Sequence, residues 1–250
     1  MARQARKRSS TGIYHIMLRG IDRRNIFLDD KDKLQFVDRI IKAKQAAGFK
    51  LYGYCLMDNH VHLLIGESEE IGTSIKRITV GYVQWHNTKY GRTGHLFQNR
   101  FLSEPVEKES YLLNVLRYIH QNPVKAGIVK HAVNYPWSSY SQYKSAYQDK
   151  SSHIDEQLIK AYLSELDNFE EYMNALNDDE CLDVEPVQKY TDAMLINIIQ
   201  SQINADDLKD MPIAKRNKVI KELYQQTGTS VRQLARVLGI GKSIIERAVK

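Results

Sequence analysis

Cysteine is almost missing from this chain: Cys55 and Cys181 are the only two in 250 residues. Two isolated thiols cannot build a disulfide framework or a thiolate zinc site, which fits a reducing, cytoplasmic setting close to the nucleoid. There is also no run of 18 apolar residues, and the opening MARQARKRSSTG lacks the apolar centre of a signal peptide. Neither a membrane span nor a secretory signal is expected. No internal repeat or low-complexity tract stands out. What is present is an ordinary globular composition, 42% hydrophobic and 26% charged, on a length that suits one large domain or two smaller ones.

The net charge of +6 is unevenly spread. Residues 1–140 carry 22 Lys/Arg against 12 Asp/Glu, residues 150–185 carry 2 against 11, and residues 186–250 carry 11 against 6. Two basic blocks flank an acidic one, which predicts three parts: a domain over 1–145, an acidic helical connector over 146–186 and a helical module over 187–250. Basic blocks of this kind are a footprint of polyanion binding.

Hydrophobic alternation and helix signals give the order β-α-β-β-α-β. Strands are expected at Ile13 to Leu18, Phe49 to Met57, His60 to Ile65 and Phe101 to Val106. Helices are expected from Asp29 or Asp30 to Ala47, from Ile71 to Tyr90 and from Lys108 to Gln121, where Pro123 stops the last. The class is α+β: a ferredoxin-like antiparallel sheet with helices on one face, followed by a small all-α C-terminal module. Trp137, Tyr140 and Tyr143 offer stacking surfaces for bases, but aromatics this dense more often pack a loop onto its domain.

The sequence MDNHVHLLI, Met57 to Ile65, holds the first chemical signal. His60 and His62 are two apart, so on a strand both imidazoles project from one face while Val61, Leu63 and Ile65 point to the other. Two neutral imidazoles can hold a divalent cation if a third ligand arrives from another element. The helix YLLNVLRYIHQN provides one. Its stripe of Leu112, Val115, Leu116 and Ile119 suits packing on a sheet, and Tyr118 and Asn122 share a ridge one turn apart. A tyrosine can attack a phosphodiester when a cation withdraws charge from the transition state. Tyr111 competes for that role, with Val115 where Tyr118 has an amide.

Arg19, Arg23 and Arg24, in the loop after the first strand, and Arg100 supply forks for phosphate. Near the C-terminus, VRQLARVL and GKSIIERAVK joined through Gly239 have the form of a helix-turn-helix. Its second helix would expose Lys242, Ser243 and Arg247 to duplex DNA, with Ile244, Ile245 and Ala248 turned inward.

Four motifs in order, HVH, GHLFQNRF, RYIHQNPVKAGIV and YPWSSY, resemble the single-tyrosine HUH transposases, in particular the branch of REP-associated tyrosine transposases and IS200-like transposases. The resemblance spans roughly residues 10–145. It implies Tyr118 as nucleophile, His60 and His62 as ligands to Mg or Mn, and single-stranded hairpin DNA as substrate. It places Asn122 where many relatives carry glutamine. LGIGKSIIERA is similar to the DNA-binding domain of the chromosomal replication initiator. Two rival readings stand beside it: a non-catalytic DNA-binding regulator descended from such an enzyme, and a phosphodiesterase using metal-activated water.

Overall fold

The computed structural model describes residues 6–176, 181–182, 192–202, 208, 211–227 and 229–249. Contacts divide the chain into two compact units, residues 1–183 and 184–250.

The first unit is built as β1 (Ile13–Arg19), α1 (Asp30–Ala47), β2 (Lys50–Met57), β3 (His60–Gly66), α2 (Ile71–Lys89), β4 (Leu102–Pro105) and α3 (Glu109–Lys125). The four strands form one sheet in the order β2-β3-β1-β4, antiparallel at every pairing. This is the ferredoxin-like arrangement the hydrophobic pattern predicts. Asp29 caps α1 by accepting from the Asp32 amide at 3.0 Å, and Asp32 returns the bond. Asp58 and Asn59 make the tight turn that starts β3 directly opposite Met57.

Paired residues of antiparallel strands share a face. His15, Met17 and Arg19 of β1 oppose Leu64, His62 and His60, so all six lie on one side. Val61, Leu63 and Ile65 lie on the other and are fully buried. Both crossover helices pack there, where Phe36 sits 4.9 Å from Tyr82 and 5.4 Å from Phe27, ring to ring. The histidine face is covered by α3. A Cβ on Gly53 would lie 2.6 Å from Leu116, so only glycine lets α3 come this close to β2.

Pro123 does not end α3. The helix runs on to Lys125, and Gly127 (φ 69°) closes it. Ile128 donates to the Pro123 carbonyl and Gly127 to that of Val124, both at 2.9 Å, which is the Schellman stop. Pro123, inside the helix, costs it the bond that an N–H there would make to the Ile119 carbonyl, and the helix continues through it. Asn122, expected at the terminus, is instead held inside the last turn.

Residues 137–139 run along the outer edge of β2. The Trp137 carbonyl accepts from Leu56, and Ser139 exchanges bonds with Tyr54. Tyr140 and Tyr143 are buried there, as the packing reading of these aromatics expects. The acidic segment is no free connector. Ile154, Ile159, Phe169 and Met173 join the first unit's core, and Phe169 stacks on Tyr143 at 4.9 Å. Burying Phe169 alone stabilises the unit by roughly 1.5–3 kcal/mol.

His120 of α3 sits fully buried in this packing, its Nε2 2.8 Å from the Ser139 hydroxyl. Burial pushes its pKa down to about 3, from 6.5. Between those values the unfolded chain takes up a proton that the folded one refuses, so stability falls as pH drops through this window, by about 1.4 kcal/mol per unit. Urea titrations at pH 7.5 and 5 should show a loss of about 2 kcal/mol that His120→Gln does not share. Equal pH slopes in the two proteins would contradict this assignment.

The second unit is helical among its described residues, with helices at Asp192–Gln202, Ile213–Thr227, Val231–Leu238 and Lys242–Ala248. Ile220, Leu223, Leu234, Leu238 and Ile245 form its core, and Arg236 forks onto Asp192 with two bonds of 2.8 Å. Gly239 (φ 63°) turns the third of these helices into the last. Lys242, Ser243 and Arg247 are exposed on that last helix, with Ile245 and Ala248 buried. Lys242 pairs with Glu246 at 3.1 Å.

Candidate active site

β3 is flanked by β2 and β1, which fixes the direction of its side chains and holds His60 and His62 on the α3 face. Their ring centroids are 5.0 Å apart and nearly perpendicular. α3 brings Asn122 between them, with Oδ1 3.3 Å from His60 Nε2 and Nδ2 3.3 Å from His62 Nε2. One turn earlier on the same ridge, the Tyr118 ring lies 5.7 Å from that of His62. The two imidazoles, the amide and the phenol therefore meet at one place.

The hydrogen bonds dictate the proton positions. Asn59 Oδ1 lies 2.6 Å from His60 Nδ1. An amide oxygen only accepts, so Nδ1 carries the proton and a neutral His60 presents its Nε2 lone pair to Asn122 Oδ1, another acceptor. Two acceptors facing at 3.3 Å leave a place where a proton or a cation fits. On the other side, the Asn122 amide donates to His62 Nε2, and His62 Nδ1 is 2.9 Å from His15 Nε2. Burial first, then the His15 and His60 rings, holds His62 well below the usual imidazole range. It is thus neutral, the form that ligates a metal.

The residues fit a hard divalent ion. Neighbouring ligands on an octahedral ion with bonds of 2.1 Å stand about 3.0 Å apart, close to the 3.3 Å between His60 Nε2 and Asn122 Oδ1. Among the described residues no three His, Cys, Asp or Glu side chains group to hold an ion, and the Asn122 amide is the oxygen donor beside the two imidazoles.

Three participants are not evident from the sequence. His15 is fully buried behind His62, and Glu104, its partner across β1 and β4, places a carboxylate 3.9 Å from His15 Nδ1. The neighbouring His15 imidazole draws the Glu104 carboxyl below its usual range. His15 and His62 are 47 positions apart, and only strand pairing unites them. Lys125 has its Nζ 5.0 Å from the Tyr118 ring centroid. Its spacing of two helical turns from Tyr118 was the available signal.

Tyr111 is engaged elsewhere. Burial, then Cys181 and the hydrogen-bonded Glu104 raise its phenol above the ordinary range. Arg19 lies half-buried opposite His60. Arg23 and Arg24 follow in a loop where Asp22 and Arg23 have φ of 51° and 61°. That loop is tied to the site through Asn59, whose Nδ2 donates to the Arg23 carbonyl at 3.4 Å. Arg100 is exposed on the loop before β4. Lys242, Ser243 and Arg247 belong to the second unit.

Residues 8–122 match the family described as "Transposase IS200 like". A Haemophilus influenzae protein (strain ATCC 51907 / DSM 11121 / KW20 / Rd), described as a REP-associated tyrosine transposase, is 27% identical over 135 residues, covering 46% of this chain and 76% of the relative. A solved REP-associated tyrosine transposase bound to a REP hairpin superposes with a TM-score of 0.50 at 19% identity, over 61% of this chain and 90% of that one. At that identity the likeness is one of fold. Over residues 8–122 the chain is thus similar to the IS200-like transposase family.

Proposed function

We propose that this chain nicks and rejoins single-stranded hairpin DNA through a 5′-phosphotyrosine on Tyr118, with Mg or Mn held by His60, His62 and Asn122. The observation that carries the reading is the pair of facing acceptors, His60 Nε2 and Asn122 Oδ1, one helical turn from a phenol. When bound, the ion would polarise the scissile phosphate and spread the charge of its transition state. The Tyr118 oxygen forms a bond to phosphorus as the bond to the 3′ oxygen breaks, and the phenolic proton is balanced by protonation of the 3′ leaving group. The new link is itself a phosphodiester, so the same step in reverse rejoins strands. Lys125 is placed to favour the phenolate, and Arg19, Arg23 and Arg24 to neutralise flanking phosphates, which makes affinity fall steeply with salt. The relative with a solved hairpin complex supports a hairpin substrate. For the second unit, the exposed Lys242, Ser243 and Arg247 suit a helix-turn-helix contact with duplex DNA.

The test is incubation with labelled hairpins and Mn, followed by a denaturing gel. A protein-linked DNA band that EDTA prevents is the expected result. Hairpin binding indifferent to EDTA, without such a band, would favour the non-catalytic regulator, and cut DNA without a protein link would favour hydrolysis by activated water.

His15 is assigned here as the group that aims His62 at the ion. Partners behind a ligating imidazole are worth roughly 10–100-fold in metal affinity. His15→Leu should weaken Mn binding on that scale by calorimetry, and His15→Gln, which still accepts from His62 Nδ1, should restore most of it. Equal Mn affinity in the leucine variant and the wild type would remove His15 from the site.

A further inference from the structure

The first unit has a second concavity on the sheet face opposite the histidines. A cleft of about 820 Å³ opens between α2 and residues 95–101. Its floor is apolar, made by Leu18, Ile75, Val83, Leu96 and Phe97. Its rim is cationic: Arg6, Lys76 and Arg100 stand against the single carboxylate of Glu70. The Arg6 guanidinium lies 3.8 Å over the Phe101 ring. Burial and then the neighbouring Arg100 charge make Arg6 less basic than usual, so two like charges are held together on one rim. An anion placed between them relieves that repulsion.

We infer that this cleft binds an unpaired stretch of the DNA that the active site cuts, its phosphates on Arg6, Lys76 and Arg100 and a base on the apolar floor. The inference rests on the strand-transfer reading above and adds to it a place where base identity is selected. A cationic groove combined with aromatic and apolar surface is what single strands require, because their bases are free to leave the stack. A duplex, with its bases stacked inside, would leave the floor unused. Gln84 and Asn99 at the cleft carry the paired donor and acceptor that read a base edge.

Position supports the same occupant. Phe97 pairs with Gly20, and Gln98 donates to the Arg19 carbonyl at 2.7 Å. Arg19 in turn is paired with His60. The Phe97 backbone is thus two strand spacings, about 10 Å, from that of His60. A strand leaving the scissile phosphate rounds the outer edge of the sheet at residues 97–101 and reaches the cleft within a few nucleotides.

The test uses the full chain carrying Tyr118→Phe, so that DNA is held without being linked through that phenol. Short random-sequence single strands containing 5-iodouracil are photocrosslinked to it, and the modified peptides are mapped by mass spectrometry. Crosslinks are expected within residues 93–101 and on α2. Lys76→Glu, and separately Val83→Trp to fill the floor, should reduce that crosslink and weaken single-strand affinity roughly tenfold, the scale of losing one stacked base. Lys76 is exposed, so its substitution decides the matter if the tryptophan variant fails to fold. Crosslinks confined to the surroundings of His60 and position 118 would overturn the cleft and leave the strand-transfer reading standing. So would cleft crosslinks of undiminished yield in both variants. Absence of any single-strand binding would overturn both.

Discussion

Tyr118→Phe is expected to abolish the covalent protein–DNA adduct while hairpin affinity and melting temperature stay close to those of the wild type. The side chain is 5% exposed, its ring set edge-on to His15 and His62 and beneath Lys125. Phenylalanine keeps each of those ring contacts, so the fold changes by no more than about 1 kcal/mol. What disappears is the oxygen proposed to bond to phosphorus. Loss of an essential nucleophile costs about four orders of magnitude or more, which on a gel is complete loss. Tyr111, the competitor on the same helix, is held by Glu104 and is harder to ionise. An adduct of wild-type yield in the phenylalanine variant would transfer the role to another residue.

His62→Ala has the second largest effect. His62 is the most enclosed of the three proposed ligands, joined to Asn122 on one ring nitrogen and to His15 on the other. Alanine removes an ion ligand and strands two buried polar partners, a cost of roughly 1–3 kcal/mol in stability for each. Adduct formation should fall by about a thousandfold or more, on the scale of removing a main source of transition-state charge stabilisation, and Mn binding should become undetectable by calorimetry. His60→Ala should be milder in stability, because His60 is only partly buried, yet equally damaging to the adduct. Wild-type protein in EDTA should behave like either variant. A His62→Ala protein that keeps both its fold and Mn-dependent adduct formation would refute the ligand assignment.

Much of the sheet was legible because its signals are local. The two-residue period of HVH set the face of both imidazoles, and the four-residue step from Tyr118 to Asn122 set their common ridge. Gly53 and Leu64 brought α3 onto that face only through tertiary contact. His15 illustrates the limit: within IYHIML it is one strand residue among six, and its partner is known only once β1 and β3 are in register. Pro123 misled for a different reason. Its missing N–H removes one bond of the last turn without halting the helix, and the stop signal that prevailed was Gly127, four residues on. Charge misled likewise over residues 150–176. Its acidic residues suggested a helical connector, but Ile159, Phe169 and Met173 are buried in the first unit's core.

The central claim is that the Tyr118 oxygen and an ion on His60, His62 and Asn122 act on one phosphate. The most direct measurement is mass spectrometry of the proteolysed adduct after reaction of the wild-type protein with a cleavable hairpin and Mn. A nucleotide joined through its 5′ phosphate to Tyr118 is the predicted product, absent when EDTA is present from the start. A nucleotide on Tyr111, or an adduct that forms equally well without metal, would contradict the account.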